Sequence, residues 1–493
     1  MKASSFFPHL FFDKFAFFFH FSIIENYCDT RKDVLMALER GLSNRHVQLI
    51  SIGGAIGTGL FLASGKSIEL AGPSILLVYL IVGGFIFLIM RALGELLLSN
   101  LECHSFVDLA EHYLGKRGGF ITGWTYWFCW ISVAMSDLTA TGIYMRYWFP
   151  TLPQWVPALT ALIVLMGMNL LSVKLFGEIE FWLALIKILA IVALIIVGGF
   201  MIVTKLSAHG TQASLMNLVN YGGFFPKGWT GFILAFQLAV FSFTGVELVG
   251  LTAGETKNPE KVLPKAINNI PIRILLFYIG SLAVIMSVQP WNQIDPSKSP
   301  FVTVFSTIGI AGAATLINFV VISSSISACN SAIFSTSRML YGLAENQHAS
   351  KKLATVNDRH VPSYALYLSS FVIALTVLLN YIMPAHVFNF ISGISTACFL
   401  FIWAIILICH LKYLKEYQAT NKTRPAFKMP LGRWANYLSL AFLLLIVVIL
   451  GILPDMRISL IVTPLWFIAL AIIYQVKFRH LAFESSSMMD SND

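Results

Sequence analysis

Charged residues make up only 12% of this 493-residue chain, about half the share carried by a typical soluble protein. So sparse a polar surface excludes a water-soluble globular enzyme of this length. Cysteine is scarce as well. The six present (Cys28, Cys103, Cys129, Cys329, Cys398 and Cys409) form no CxxC pair and fall at no Cys/His metal-ligand spacing. That leaves no disulfide framework and no redox or zinc motif, and most of these residues lie in apolar runs, where a free cysteine acts as a small apolar filler. His104, Asp108 and His112 form a nominal metal-capable helix face, but they sit beside basic residues and carry no further ligand set. No catalytic residue, metal or cofactor is therefore assigned, and the chain is not expected to be an enzyme.

Apolar sequence is abundant: 57% of the residues are hydrophobic. Runs of about 18 residues or more recur, each long enough to cross a hydrocarbon layer of about 30 Å. They predict an all-α polytopic membrane protein of about twelve spans, near residues 48–66, 73–98, 120–148, 155–173, 178–204, 229–252, 270–289, 303–337, 363–382, 386–410, 436–453 and 457–477. The net charge of +9 reflects topology rather than nucleic-acid binding. With the N-terminus inside, about 25 of the 33 Lys and Arg fall on cytoplasmic segments and about six outside. Both termini are thus expected in the cytoplasm.

Three regions are expected: an N-terminal extension over 1–37, a transmembrane domain over 38–478 and a tail over 479–493. The opening "FFPHLFFDKFAFFFHF" is interrupted by Asp13 and Lys14, too short for a span and without a signal-peptide cleavage site. Met36, which opens "MALERGLSNRHVQLI", is the alternative start.

In a bilayer every backbone polar group needs a partner, and ionisable side chains are rare. The informative residues are those that break these rules. "SIGGAIGTGLFLASG" places five glycines in the first span. Gly53-x-x-x-Gly57 suits close helix packing, whereas Gly57-Thr58-Gly59 lacks the third glycine of a dinucleotide fingerprint. The alternative to packing is a helix unwound at mid-membrane, its free N–H groups turned toward an anion. "FSFTGVELVG" puts Ser242, Thr244, Gly245 and Glu247 into the sixth span. Glu247 must face protein or water, or else emerge at the cytoplasmic end beside a lysine. Interrupted spans at corresponding positions of two halves point to an inverted-repeat transporter with a midplane site. Lys187 lies in the body of the fifth span, either as a proton site or as a fixed charge tethering the carbonyl ends of span one. Ser323, Ser324, Ser325, Ser327 and Asn330 in span eight serve helix packing by default, or line a polar path. Arg91 and Glu95, four apart, are placed to pair on one helix face.

The segments "LERGLSNRHVQLISIGGAIGTGLF", "FSFTGVELVGLTAGETKNPEKVLPKAIN", "FSTSRMLYGLA" and "FKMPLG" resemble bacterial amino-acid permeases of the amino acid–polyamine–organocation superfamily, from about residue 38 to 478. The resemblance implies a LeuT-like core of five plus five inverted-repeat spans with two extra helices. It also implies proton-coupled uptake of a small neutral amino acid (glycine, alanine or serine of either hand) across the bacterial inner membrane. Symport is the leading expectation; exchange, or another amino acid, is the alternative. Ile56, Gly57, Thr58 and Gly59 match the unwound stretch that holds the substrate carboxylate. Phe241, Ser242, Phe243 and Thr244 match the break whose carbonyls receive the ammonium and whose aromatic helps close the gate. Lys187 matches the lysine that replaces a sodium site in proton-coupled relatives. Glu247 falls on the family's span-six glutamate and joins Lys187 as a candidate proton-coupling group, its role left open. The expected partners are the amino acid, H+ and membrane lipid. The driving force is the proton gradient, and the oligomeric state is not fixed by the sequence.

Overall fold

Long apolar helices dominate because a chain in hydrocarbon must satisfy its backbone internally, and glycine, proline and polar residues mark where the helices stop. The computed structural model describes residues 56–100, 105–171, 173–208, 211–247, 259–296, 298–307, 312–420 and 424–489. In chain order the helices are α1 (Thr58–Phe61), α2 (Ala63–Ala71), α3 (Ile75–Ser99), α4 (Phe106–Met145), α5 (Trp155–Leu171), α6 (Val173–Thr204), α7 (Gly228–Leu234) and α8 (Phe236–Ser242). There follow α9 (Pro259–Asn268), α10 (Ile270–Arg273), α11 (Ser281–Val288), α12 (Pro300–Thr307), α13 (Ala313–Glu345), α14 (Ser363–Ile382), α15 (Val387–Thr420), α16 (Arg433–Ile452) and α17 (Ser459–Met489). A two-residue hairpin pairs Ser207–Ala208 with Thr211–Gln212. Among the described residues, eight helical stretches are long and apolar enough to cross a membrane, and Trp155–Leu171 and Gly228–Ser242 are shorter apolar helices. The all-α polytopic architecture expected from the sequence is the one observed.

The boundaries differ from the hydropathy reading where polar physics intervenes. The expected eighth span, 303–337, is two helices: α12 ends at Thr307, and α13 begins after Gly312, whose φ is +80°. The helix of the third span begins early, because Ser105 and Asp108 form a capping box at Phe106, and it kinks at Gly115 (φ +77°). Asp108, one of the three residues of the nominal metal face, is engaged in this cap; His104 lies outside the described residues. The Phe-rich extension and Gly53 and Gly54 also lie outside them.

α4 packs most extensively against α13 and α15, making these three the centre of the bundle. Side chains on the outer helices are apolar and exposed, among them Ile196, Phe200, Leu378 and Ile461, whereas Trp229, Trp434 and Tyr381 are exposed at helix ends. That is the distribution hydrocarbon and its two interfaces select.

At the end of α3 the ionic pairing differs from the expectation. Glu95 is fully buried and accepts from both the Nε and Nη2 of Arg424, from His410 Nε2 at 3.1 Å and from the Met429 amide at 2.6 Å. His410 Nδ1 faces the Asn436 side chain. Arg91 turns instead to the Lys428 carbonyl, to Asn268 and to the Phe427 ring. An i, i+4 contact is solvent-exposed and weak, so the buried carboxylate recruits the guanidinium and backbone of the "FKMPLG" segment instead. The Glu95 carboxylate beside Arg424 holds that guanidinium charged more firmly than usual. Glu95→Ala is expected to destabilise the protein by about 3–5 kcal/mol, the usual cost of leaving buried partners unpaired. This would be read as a lower melting temperature in detergent, and an unchanged one would contradict the assignment.

Candidate functional site

The start of α1 and the end of α8 meet. Gly57 is extended (φ −132°, ψ −158°) and caps α1, while Leu62 (φ −113°) bends α1 away from α2. α8 ends at Ser242, and the chain runs without helix through Glu247, with Gly245 at φ +96°. A side chain at Gly245 would meet the left-handed penalty that glycine escapes. Ser242 Oγ donates to the Gly59 carbonyl at 2.7 Å, Tyr79 OH lies 3.0 Å from the same Oγ, and Tyr278 OH donates to the Ser242 carbonyl at 3.0 Å. Tyr278 sits in a π-helical turn, Ile274–Gly280, an irregularity often found at functional sites. The contact is so close that a Cβ built on Gly59 would lie 2.5 Å from Ser242 Cα; one on Gly57 would meet only Ala328 Cβ, at 3.7 Å. Gly59 is therefore needed for helix approach, and Gly57 leaves open space.

That space is a narrow cavity. Gly57, Thr58 and Gly59 form one wall and Phe241, Ser242 and Thr244 the other; α4 contributes Trp130, Val133 and Asp137, and α13 contributes Ala328 and Ser331. Six of the eight substrate-site residues expected from the sequence line it. Ile56 stands behind the wall, its carbonyl accepting from Ser324 Oγ at 3.1 Å. Phe243 is buried in an aromatic cluster, stacked on Tyr278 with centroids 4.7 Å apart and edge-on to Tyr79. Phe241 packs edge-on to Phe388. The Val240 carbonyl accepts from Phe243 N and the Ser242 carbonyl from Tyr278 OH, whereas the Phe241 carbonyl accepts from both Thr244 N at 3.1 Å and Thr244 Oγ1 at 2.7 Å. The second lone pairs of the Val240 and Ser242 carbonyls are the ones left for a ligand.

Lys187 is fully buried outside the cavity. Its Nζ donates to Ser327 Oγ at 3.1 Å, and Ser327 Oγ donates to Glu180 Oε1 at 2.5 Å. Among the described residues Lys187 touches no carbonyl of the first span; Ser324 makes that contact. The span-eight serines thus divide: Ser323 and Ser325 bond their own helix, Ser324 holds span one and Ser327 joins the charges. Asn330 accepts from Asn169 at 2.8 Å. Glu247 is buried, its Oε2 accepting from Trp403 Nε1 at 3.4 Å.

Sequence reading missed Asp137 and Glu180. Asp137 is buried, accepts from Thr58 Oγ1 at 2.8 Å and lines the cavity. Both carboxylates lie within electrostatic reach of Lys187. The rule that put Lys187 and Glu247 on the list applies equally to an aspartate in mid-span, "VAMSDLTAT", so the signal was present.

The amino acid permease family description matches residues 46–483. The chain belongs to this family. The permease is 61% identical over 442 residues to the amino-acid permease AapA of Bacillus subtilis, covering 90% of this chain and 96% of that protein. It is 60% identical over 451 residues to the uncharacterized transporter YdgF of the same organism, covering 91% and 98%. A relative from Escherichia coli, the D-serine/D-alanine/glycine transporter, is 50% identical over 447 residues, covering 90% and 95%. The permease is accordingly an integral membrane protein that transports amino acids, and not an enzyme.

Proposed function

We propose that the permease is a proton-coupled symporter that takes up small neutral amino acids such as glycine, D-alanine and D-serine across the bacterial inner membrane, with both termini cytoplasmic. The observation that carries this reading is the cavity lined by both the start of α1 and the end of α8. A zwitterion needs an anion site and a cation site a few ångströms apart in a water-poor space. Backbone N–H groups at 57–59 and backbone carbonyls around 241–244 offer both without burying a fixed charge in each. Backbone atoms do not select the hand of the α-carbon, so acceptance of D-forms falls to the shape set by Trp130, Val133 and Phe241. The relative named as a D-serine/D-alanine/glycine transporter supports that substrate class. Proton coupling is assigned to the buried polar residues around Lys187; no gradient-carrying cofactor is needed. Glu247 lies on the far side of the span-six break and is kept as a second candidate.

Competition by a panel of D- and L-amino acids against labelled glycine uptake in liposomes tests the substrate. Glycine, D-alanine and D-serine are expected to compete best, and preference for aromatic or branched side chains would contradict the reading. Gly57→Val tests the carboxylate site: its side chain enters the cavity beside Ala328, and glycine affinity is expected to fall at least about tenfold, whereas unchanged affinity would remove the assignment.

A further inference from the structure

We infer that Asp137, rather than Lys187, takes up and releases the coupled proton, and that it links the proton to the substrate through repulsion between its carboxylate and the carboxylate of the bound amino acid. The inference rests on the symport reading above and names the group that performs the coupling.

The geometry assigns different roles to three buried charges. Lys187 Nζ donates to Ser327 Oγ, whose own proton goes to Glu180 Oε1. This relay runs from an ammonium to a carboxylate through Glu180 Oε1, while Glu180 Oε2 is buried with no hydrogen-bond partner among the described residues. Asp137 also has one orphaned oxygen: its Oδ1 accepts from Thr58, and its Oδ2 is buried with no hydrogen-bond partner among the described residues. Position is what sets it apart. It alone of the three lines the substrate cavity. The other titratable or charged groups facing it are Lys187 and Glu180 from α6, Cys329 from α13 and Tyr144 on its own helix. Two carboxylates against one ammonium leave one negative charge in a water-poor site. A buried charge without a full set of partners is costly, and a single proton on Asp137 removes it.

The coupling follows from position. Thr58, which holds Oδ1, belongs to the stretch proposed to hold the substrate carboxylate, so an ionised Asp137 and a bound amino acid set two negative charges side by side. Like charges in one site disfavour each other. A proton on Oδ2 lets the substrate bind, and by reciprocity a bound substrate makes the proton bind more tightly. The O–H bond forms with a proton taken from water on the outer side and breaks to water on the inner side once the substrate has left. Lys187 keeps its charge throughout and holds Glu180.

Three measurements on purified protein test this. Glycine binding, followed by tryptophan fluorescence with Trp130 in the cavity wall, is expected to weaken at least about tenfold in wild type from acidic to alkaline buffer, and less than about twofold in Asp137→Asn. Glycine-driven proton entry into liposomes is expected in wild type and in Lys187→Arg, which keeps a charge that is never released. It is expected to vanish in Asp137→Asn while glycine counterflow persists. Infrared difference spectra of wild type on adding glycine in alkaline buffer are expected to gain a carboxylic-acid C=O band, a readout that needs no variant to fold. Proton entry surviving in Asp137→Asn, proton entry lost in a Lys187→Arg protein that still performs counterflow, or no carboxylic-acid band in a wild type that moves protons would each overturn the inference and leave the symport reading standing. No glycine-driven proton entry in wild type would overturn the symport reading itself.

Discussion

Gly59→Ala is expected to abolish uptake, although it adds one methyl group. That methyl would lie 2.5 Å from Ser242 Cα and 3.1 Å from Ser242 Cβ, inside the contact that joins the start of α1 to the end of α8. Backbone cannot rotate away as a long side chain can, so the helices must separate. Separation breaks the bond from Ser242 Oγ to the Gly59 carbonyl and disturbs the contacts of Tyr79 and Tyr278 with Ser242. Overpacking a tight contact costs about 1–3 kcal/mol. Here the strain falls on both walls of the cavity at once, so labelled glycine uptake is expected to fall at least about tenfold, with a lowered melting temperature. Gly57→Ala provides the contrast, because its methyl meets only Ala328 Cβ at 3.7 Å and the protein is expected to fold normally. Equal uptake by Gly59→Ala and wild type would show that the closeness of the two breaks is not required.

Lys187→Met is expected to end gradient-driven uptake and to destabilise the protein. The side chain fits a buried unbranched site, so volume is nearly conserved and the change is one of charge. Removing the ammonium leaves Glu180 and Asp137 as buried carboxylates without their shared cation, and breaking such a buried arrangement costs about 3–5 kcal/mol. Ser327 also loses the donor that completes its relay to Glu180. Both effects are checked together, by thermal unfolding in detergent and by uptake into liposomes with an imposed pH gradient. Normal gradient-driven uptake in the Met variant would remove the buried cluster from the coupling machinery.

Much of this architecture is legible in the sequence because hydrocarbon imposes strict rules. Apolar runs place the spans, and polar residues inside them stand out. The misreadings have physical causes. Hydropathy merges α12 with α13, since both are apolar, although α12 ends at Thr307 and α13 starts after Gly312. A helix-face rule pairs Arg91 with Glu95, but burial sends Glu95 to Arg424 and His410 on segments more than 300 residues away. The motif reading placed Gly59 at the substrate wall, where it lies; the three-dimensional approach of Ser242 gives it a second, packing role that the sequence does not show. Phe243 and Thr244 are neighbours in sequence, but the loss of helix after Ser242 sends one to an aromatic cluster and the other to the cavity. Asp137 was visible by the same rule that singled out Lys187, and its meaning emerges once Thr58 is seen to hold it against the substrate wall.

The central claim is that one cavity between the start of α1 and the end of α8 couples an amino acid to a proton. Liposomes containing the purified protein and no internal amino acid, given an inward proton gradient and external labelled glycine, test it most directly. The account predicts accumulation of glycine above its external concentration and collapse of that accumulation when a protonophore is added. Glycine entry only into liposomes preloaded with amino acid, indifferent to the gradient, would contradict it and identify an exchanger.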